Sequence, residues 1–273
     1  MLTGFLVKTD FNYYLPNKRI LILGDSHTLC GLDDAIIPYS VNLSESADTY
    51  FYSYLKLREI ADRNNNLKTL ILGFAEHNIS ESQDQWLTDS SINNKKLSFY
   101  YFLFDWKDIL EFTKINPTAI LKNAVRIIKG NVGHLYRIFR KTPITEFGIG
   151  THLKLNKEVP ADALMKPNKN IKIKENNLSK LDLVYLQKIN QYCVKNKIKL
   201  ILINTPVLVK EEKLDQKYMQ IYNKKLPTAE LLDFSNIMKD KKYFSDVSHL
   251  NNEGAIQFSN FLKTQLERGI IAK

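Results

Sequence analysis

The chain has 273 residues, 44% of them hydrophobic and 25% charged, and its 39 Lys and Arg against 29 Asp and Glu give a formal charge of +10. That is globular composition with enough apolar residues for a sizeable core, which excludes a disordered or collagen-like chain. The basic excess is lysine scattered along the chain with no compact arginine block, a pattern that suits anionic surfaces or glycans and argues against a specific nucleic-acid partner.

In chain order, Met1 to Lys18 holds one short apolar patch, Gly4 to Val7, and reads as neither a signal peptide nor a membrane span. The run Ile20-Leu21-Ile22-Leu23 then stops at Gly24-Asp25-Ser26-His27. Four apolar residues bounded by turn formers predict a buried parallel strand, with room for a short helix over Thr28 to Ile37. A serine at such a strand-to-helix turn stands outside the carboxyl end of the strand, where helix N-terminal amides favour a developing oxyanion. Ser26 is therefore a candidate nucleophile. Cys30 and Cys193 form neither a disulfide framework nor a zinc spacing.

Tyr39 to Leu43 predicts a second strand, followed by Ser44-Glu45-Ser46 and an amphipathic helix over Asp48 to Arg63. Its apolar face carries Tyr50, Tyr54, Leu57 and Ala61, and Ser46 or Asp48 can cap it. A third strand, Leu67 to Leu72, ends at Gly73-Phe74-Ala75-Glu76-His77-Asn78. Three strands ending in polar turns at one sheet edge predict a ligand crevice there.

From about 79 to 177 the βαβ alternation breaks, which predicts a mainly helical insertion. The aromatic stretch Leu97 to Glu111 reads first as core against the sheet, with an acyl or sugar platform as its other use. Pro117 to Arg140 predicts one helix or two, and Lys141 to Lys174 a loop. The insertion is the candidate substrate lid. The α/β pattern resumes with a helix over Leu178 to Asn196, a strand over Ile198 to Ile203 ending at Asn204-Thr205-Pro206, a helix over Glu211 to Lys224, a strand at Leu231 to Phe234 and a last helix from Asn252 to Arg268. The expected architecture is one three-layer α/β/α domain over residues 1–273, flavodoxin-like, with about five parallel strands joined by right-handed crossovers.

A serine is a weak nucleophile without a base and a group to orient the base. Asp246-Val247-Ser248-His249 supplies both within one turn of backbone: Asp246 can accept from His249 Nδ1, which leaves Nε2 to take the Ser26 proton. Without that pair, Ser26 would read as a helix cap and Asp25 as a turn residue.

Gly24-Asp25-Ser26 after the first strand, joined to Asp246-x-x-His249 before the last helix, resembles the SGNH (GDSL-like) hydrolase superfamily. The resemblance implies a three-layer fold, a Ser26-His249-Asp246 triad and hydrolysis or transfer of acyl groups with no cofactor and no metal. The histidine after the serine is similar to branches that act on cell-envelope polysaccharides, which implies a small acyl group on a glycan substrate, a setting outside the cytoplasm and an envelope-assembly partner. The family takes oxyanion donors from the nucleophile N–H, a glycine N–H after the second strand and an asparagine after the third. This chain departs from that pattern: Ser44 stands for the glycine, and Ala75 occupies the asparagine position. Ser44 N–H and a shifted Asn78 are the replacement donors, Asn78 being otherwise a capping or loop residue. His27, Gly73, Glu76 and His77 are expected to line or rim the pocket. Two other readings stay open, a non-catalytic glycan-binding or scaffold member of the same fold and a metallophosphoesterase built on Asp25-x-His27, for which further ligands are lacking.

Overall fold

A computed structural model of the protein describes residues 15, 17–89, 96–97, 100–140, 152–160, 178–209 and 216–269. Five strands, β1 (Ile20–Leu23), β2 (Ser40–Asn42), β3 (Thr69–Gly73), β4 (Lys199–Asn204) and β5 (Glu230–Asp233), form one sheet in the order β2-β1-β3-β4-β5. Every pairing is parallel. This is the flavodoxin-like order, with the switch point between β1 and β3.

Parallel strands are covered on both faces, which is why they read as unbroken apolar runs. Side chains alternate between two cores. Leu21, Leu23, Leu70, Leu72, Leu200 and Leu202 join one core, and Ile22, Ile71, Ile201 and Ile203 the other. The leucine core is covered by α2 (Tyr50–Arg63), α6 (Lys180–Lys195) and α7 (Gln216–Lys225), and the isoleucine core by α8 (Asn252–Glu267), which packs beside α1 (Ser26–Gly31). The expected face of α8 is the packed one, with Ala255, Phe258, Leu262 and Leu266 all buried.

Between β3 and α6 lie 3-10 turns at Glu76–Ile79, Glu81–Asp84 and Tyr101–Leu103 and the helices α3 (Gln85–Thr88), α4 (Trp106–Ile115) and α5 (Ala119–Phe139). The aromatic stretch supplies core: Phe51 of α2 meets Phe104, Phe112 and Tyr185 with ring centroids 5.5, 5.5 and 4.9 Å away. Among the described aromatic residues of the stretch Trp106 is the exception and faces solvent.

Two local expectations change. The first helix begins at Ser26 rather than Thr28, because Asp25 caps it by accepting from His27 N–H at 3.0 Å. Neither Ser46 nor Asp48 caps α2. Its N-cap is Thr49, which makes no side-chain cap bond, while the buried Asp48 carboxylate pairs with Lys56 and Lys96. Most of the expected loop over 141–174 lies outside the described residues, as does the start of the helix expected from Glu211. Within that loop, residues 152–160 run without helix or strand across two elements of the sheet face. Leu153 N–H donates to Leu29 O, and Val159 N–H to Phe244 O, both at 3.0 Å.

Candidate active site

Ser26 owes its place to a sharp turn. Gly24 has φ +147°, and a Cβ there would lie 2.5 Å from Thr28 Oγ1 and 3.1 Å from Gly73 N, so only glycine lets the ends of β1 and β3 close on the first turn of α1. Ser26 is the first residue of that helix, where backbone N–H groups have no partner inside the helix.

His249 and Asp246 sit on a tight loop before α8. Ser245 N–H donates to His249 O at 2.9 Å, and the Asp246 carboxylate accepts from the N–H groups of Ser248 (2.8 Å) and His249 (2.9 Å). The loop is braced from below by Asn251, which caps α8 at Gly254 N–H. Gly254 permits the close approach, since a Cβ there would stand 2.1 Å from Tyr243 O.

The side chains then align. His249 Nδ1 lies 2.9 Å from Asp246 Oδ2, and His249 Nε2 lies 2.8 Å from Ser26 Oγ. A carboxylate only accepts, so Nδ1 carries the proton and donates, which leaves Nε2 to accept from the serine hydroxyl. Burial works to raise the Asp246 pKa, but the His249 hydrogen bond, the Ser248 N–H and the imidazole charge outweigh it and hold it down at about 2.

A second carboxylate lies on the other side of Ser26. Asp25 is buried, and its Oδ2 accepts from His77 Nε2 at 2.6 Å and Asn78 Nδ2 at 2.7 Å. Burial pushes its pKa up, yet His77 and His27 hold it well below the usual carboxylate range. His27 is sandwiched between two other imidazoles, its centroid 4.4 Å from His77 and 4.8 Å from His249. Burial first, and the His77 charge second, pull the His27 pKa down to about 3, so His27 is neutral at physiological pH.

The two replacement oxyanion donors are engaged elsewhere. Ser44 N–H donates to Asn42 Oδ1 at 3.0 Å, inside a cap in which Asn42 Nδ2 also binds the carbonyls of Thr28 and Leu32. Asn78 uses Oδ1 to accept from Ala75 N–H at 2.8 Å and one Nδ2 hydrogen on Asp25, which leaves its second amide hydrogen. The Asn42 and Asn78 side chains are thus held by the backbone groups they bind.

Of the expected pocket residues, His27, Gly73 and His77 line one small pit, with Ala75 and Asn78 beside them. Glu76 is half-buried in the adjoining 3-10 turn and is not among the lining residues. The pit has about 10 Å³ of free space, roughly the room of one water. Its far wall is Asn204, at the end of β4, which is buried and which sequence reading left as a strand terminus. The available signal was that β4, like β1 and β3, runs into a polar turn at the same sheet edge. His152 is buried, with Nδ1 3.4 Å from Asp33 Oδ2. Among the described residues no three His, Cys, Asp or Glu side chains are set to share a metal ion.

A protein-family model that carries no functional description matches residues 161–270. No curated protein matches the chain at a significant level. Among solved structures, a Streptococcus pneumonia protein provisionally described as a platelet activating factor is similar with a TM-score of 0.44 and 13% identity, over 96% of this chain and 92% of that one.

Proposed function

We propose that the chain is a serine-dependent acyl-ester enzyme of the SGNH type. The observation that supports it most is the continuous chain of contacts from Ser26 Oγ to His249 Nε2 (2.8 Å) and from His249 Nδ1 to Asp246 (2.9 Å), at the carboxyl edge of a parallel sheet. In this reading Ser26 Oγ attacks an ester carbonyl as His249 Nε2 takes its proton, and Asp246 holds the imidazolium. The tetrahedral oxyanion forms against the first turn of α1, where Ser26 N–H and the second amide hydrogen of Asn78 are the candidate donors. His249 then protonates the departing alkoxide. Water, or a sugar hydroxyl deprotonated by the same nitrogen, resolves the acyl-enzyme.

That the acyl group is small, its carrier a carbohydrate and the setting the cell envelope rests on the sequence resemblance alone. The engaged Ser44 and Asn78 donors favour one other reading, a glycan-binding member of the same fold that has lost turnover. Intact-mass analysis after exposure to a fluorophosphonate, with p-nitrophenyl acetate hydrolysis in parallel, separates the two. A single adduct absent from Ser26→Ala supports the enzyme. A folded protein that neither labels nor turns over, and whose glycan binding survives Ser26→Ala, supports the binding module.

A further inference from the structure

Helix α5 carries two apolar faces, and the fold uses one of them. Ala119, Asn123 and Ile127 are buried against the rest of the protein. Leu121, Val125, Ile128, Val132, Tyr136 and Phe139 are between 58% and 85% exposed. Steps of four, three, four, four and three residues keep those six side chains within roughly 80° of helix circumference, as one stripe along the whole length. A monomeric protein rarely presents so large a continuous apolar surface without a partner for it.

Charge identifies the partner. Lys122, Arg126, Lys129 and Arg140 are exposed and fall along one border of the stripe, and no Asp or Glu occurs anywhere from Phe112 to Thr145. A second copy of this chain would bring the same cations against themselves across the apolar seam. An anionic lipid surface takes the stripe into its acyl boundary while its headgroups meet the cations, and a helix apolar on one face with Lys and Arg beside it is the form that lies in that interface. No described helix is long and apolar enough to cross a membrane, so this contact is a lying one. We propose that the outer face of α5 docks the protein on anionic membrane lipid.

The test is co-sedimentation of the full chain with vesicles of equal parts phosphatidylglycerol and phosphatidylcholine, compared with phosphatidylcholine alone. The expected result is binding to the anionic vesicles that weakens with salt. Replacing Lys122, Arg126 and Lys129 together by Gln is expected to lower it about a hundredfold, at about fivefold per cation removed. Leu121→Ser with Ile128→Ser and Val132→Ser is expected to abolish it, and near-ultraviolet circular dichroism checks that both variants keep the native packing. Wild-type protein left in the supernatant, equal binding to neutral vesicles, or variants that sediment like wild type would each overturn the proposal. So would a dimer in sedimentation velocity that the serine variant dissolves, since the stripe would then be an interface between copies.

Discussion

Two aspartates flank Ser26 and hold opposite kinds of partner. Asp246 is half-exposed and serves the imidazole, whereas Asp25 is buried and ties together His77, Asn78 and the N-terminus of α1. On the proposed function, Asp246→Asn should keep the fold and lose kcat by roughly 10³–10⁴-fold, because an amide no longer fixes the tautomer that leaves Nε2 free. Asp25→Asn keeps an oxygen for the His27 N–H but turns an NH₂ toward the Asn78 amide, and should cost about 1–3 kcal/mol of stability. The pH dependence separates them further. A carboxylate held below its unfolded pKa contributes stability that is complete above about pH 4 and drains as the pH falls toward the folded value. Wild type should thus lose stability between about pH 4 and pH 2, and Asp25→Asn should lose less over that window. Parallel urea titrations at stepped pH measure this, and an unchanged slope in the variant would remove Asp25 from the account.

Among the elements, the junction of α2, α6 and β3 rests on one buried acid. Ser179 caps α6 by accepting from Asp182 N–H and donates to Asp84, while Asp182 Oδ1 accepts from Tyr50 N–H at the start of α2 (2.9 Å) and Tyr50 Oη donates to Gly73 O (2.9 Å). Asp182 Oδ2 has no partner among the described residues, and burial pushes the pKa up to about 7 against the pull of the Tyr50 N–H. Here the sign reverses: the native state keeps a proton that the unfolded chain has released, so this group subtracts stability as the pH climbs from about 4 to about 7. Asp182→Asn retains the acceptor and removes the charge. It should raise Tm at pH 8, by a gain on the order of 1–3 kcal/mol that shrinks toward pH 4, and calorimetry at the two pH values checks it. Sequence reading could find Ser26, Asp246 and His249 because side-chain type and chain order carry that chemistry, and it could find β1, β3 and β4 because strands covered on both faces are continuously apolar. It could not find the ties from Asp25 to His77 and from Tyr50 to Asp182, which span 52 and 132 residues. The capping rule failed at Asp48 for the same reason. The rule is local, and two lysines, one of them 48 residues away, claimed the carboxylate first.

At the scale of the molecule, the sheet has a seam. β2, β1 and β3 come from the first part of the chain and β4 and β5 from the last, and they meet along five register pairs from Thr69↔Lys199 to Gly73↔Ile203. The candidate site straddles that seam, with Ser26 after β1, Asn204 at the end of β4 and His249 beyond β5, so the Ser26–His249 contact forms only when β3 and β4 pair. Amides on both sides of the seam, such as those of Ile71 and Ile201, should exchange with solvent only through global unfolding, because both faces of their strands are buried. Helix α5 stands at the other extreme. Past Ile127, none of its described side chains is buried, and Ile128, Val132, Tyr136 and Phe139 are each more than half exposed, so these outer turns should open locally. Native-state hydrogen exchange in low denaturant is expected to place the seam amides on one common isotherm and the outer turns of α5 far below it, insensitive to denaturant. Protection of those turns equal to that of β3 would mean that the protein alone already covers the stripe, and the free apolar face on which the lipid-docking proposal depends would not exist.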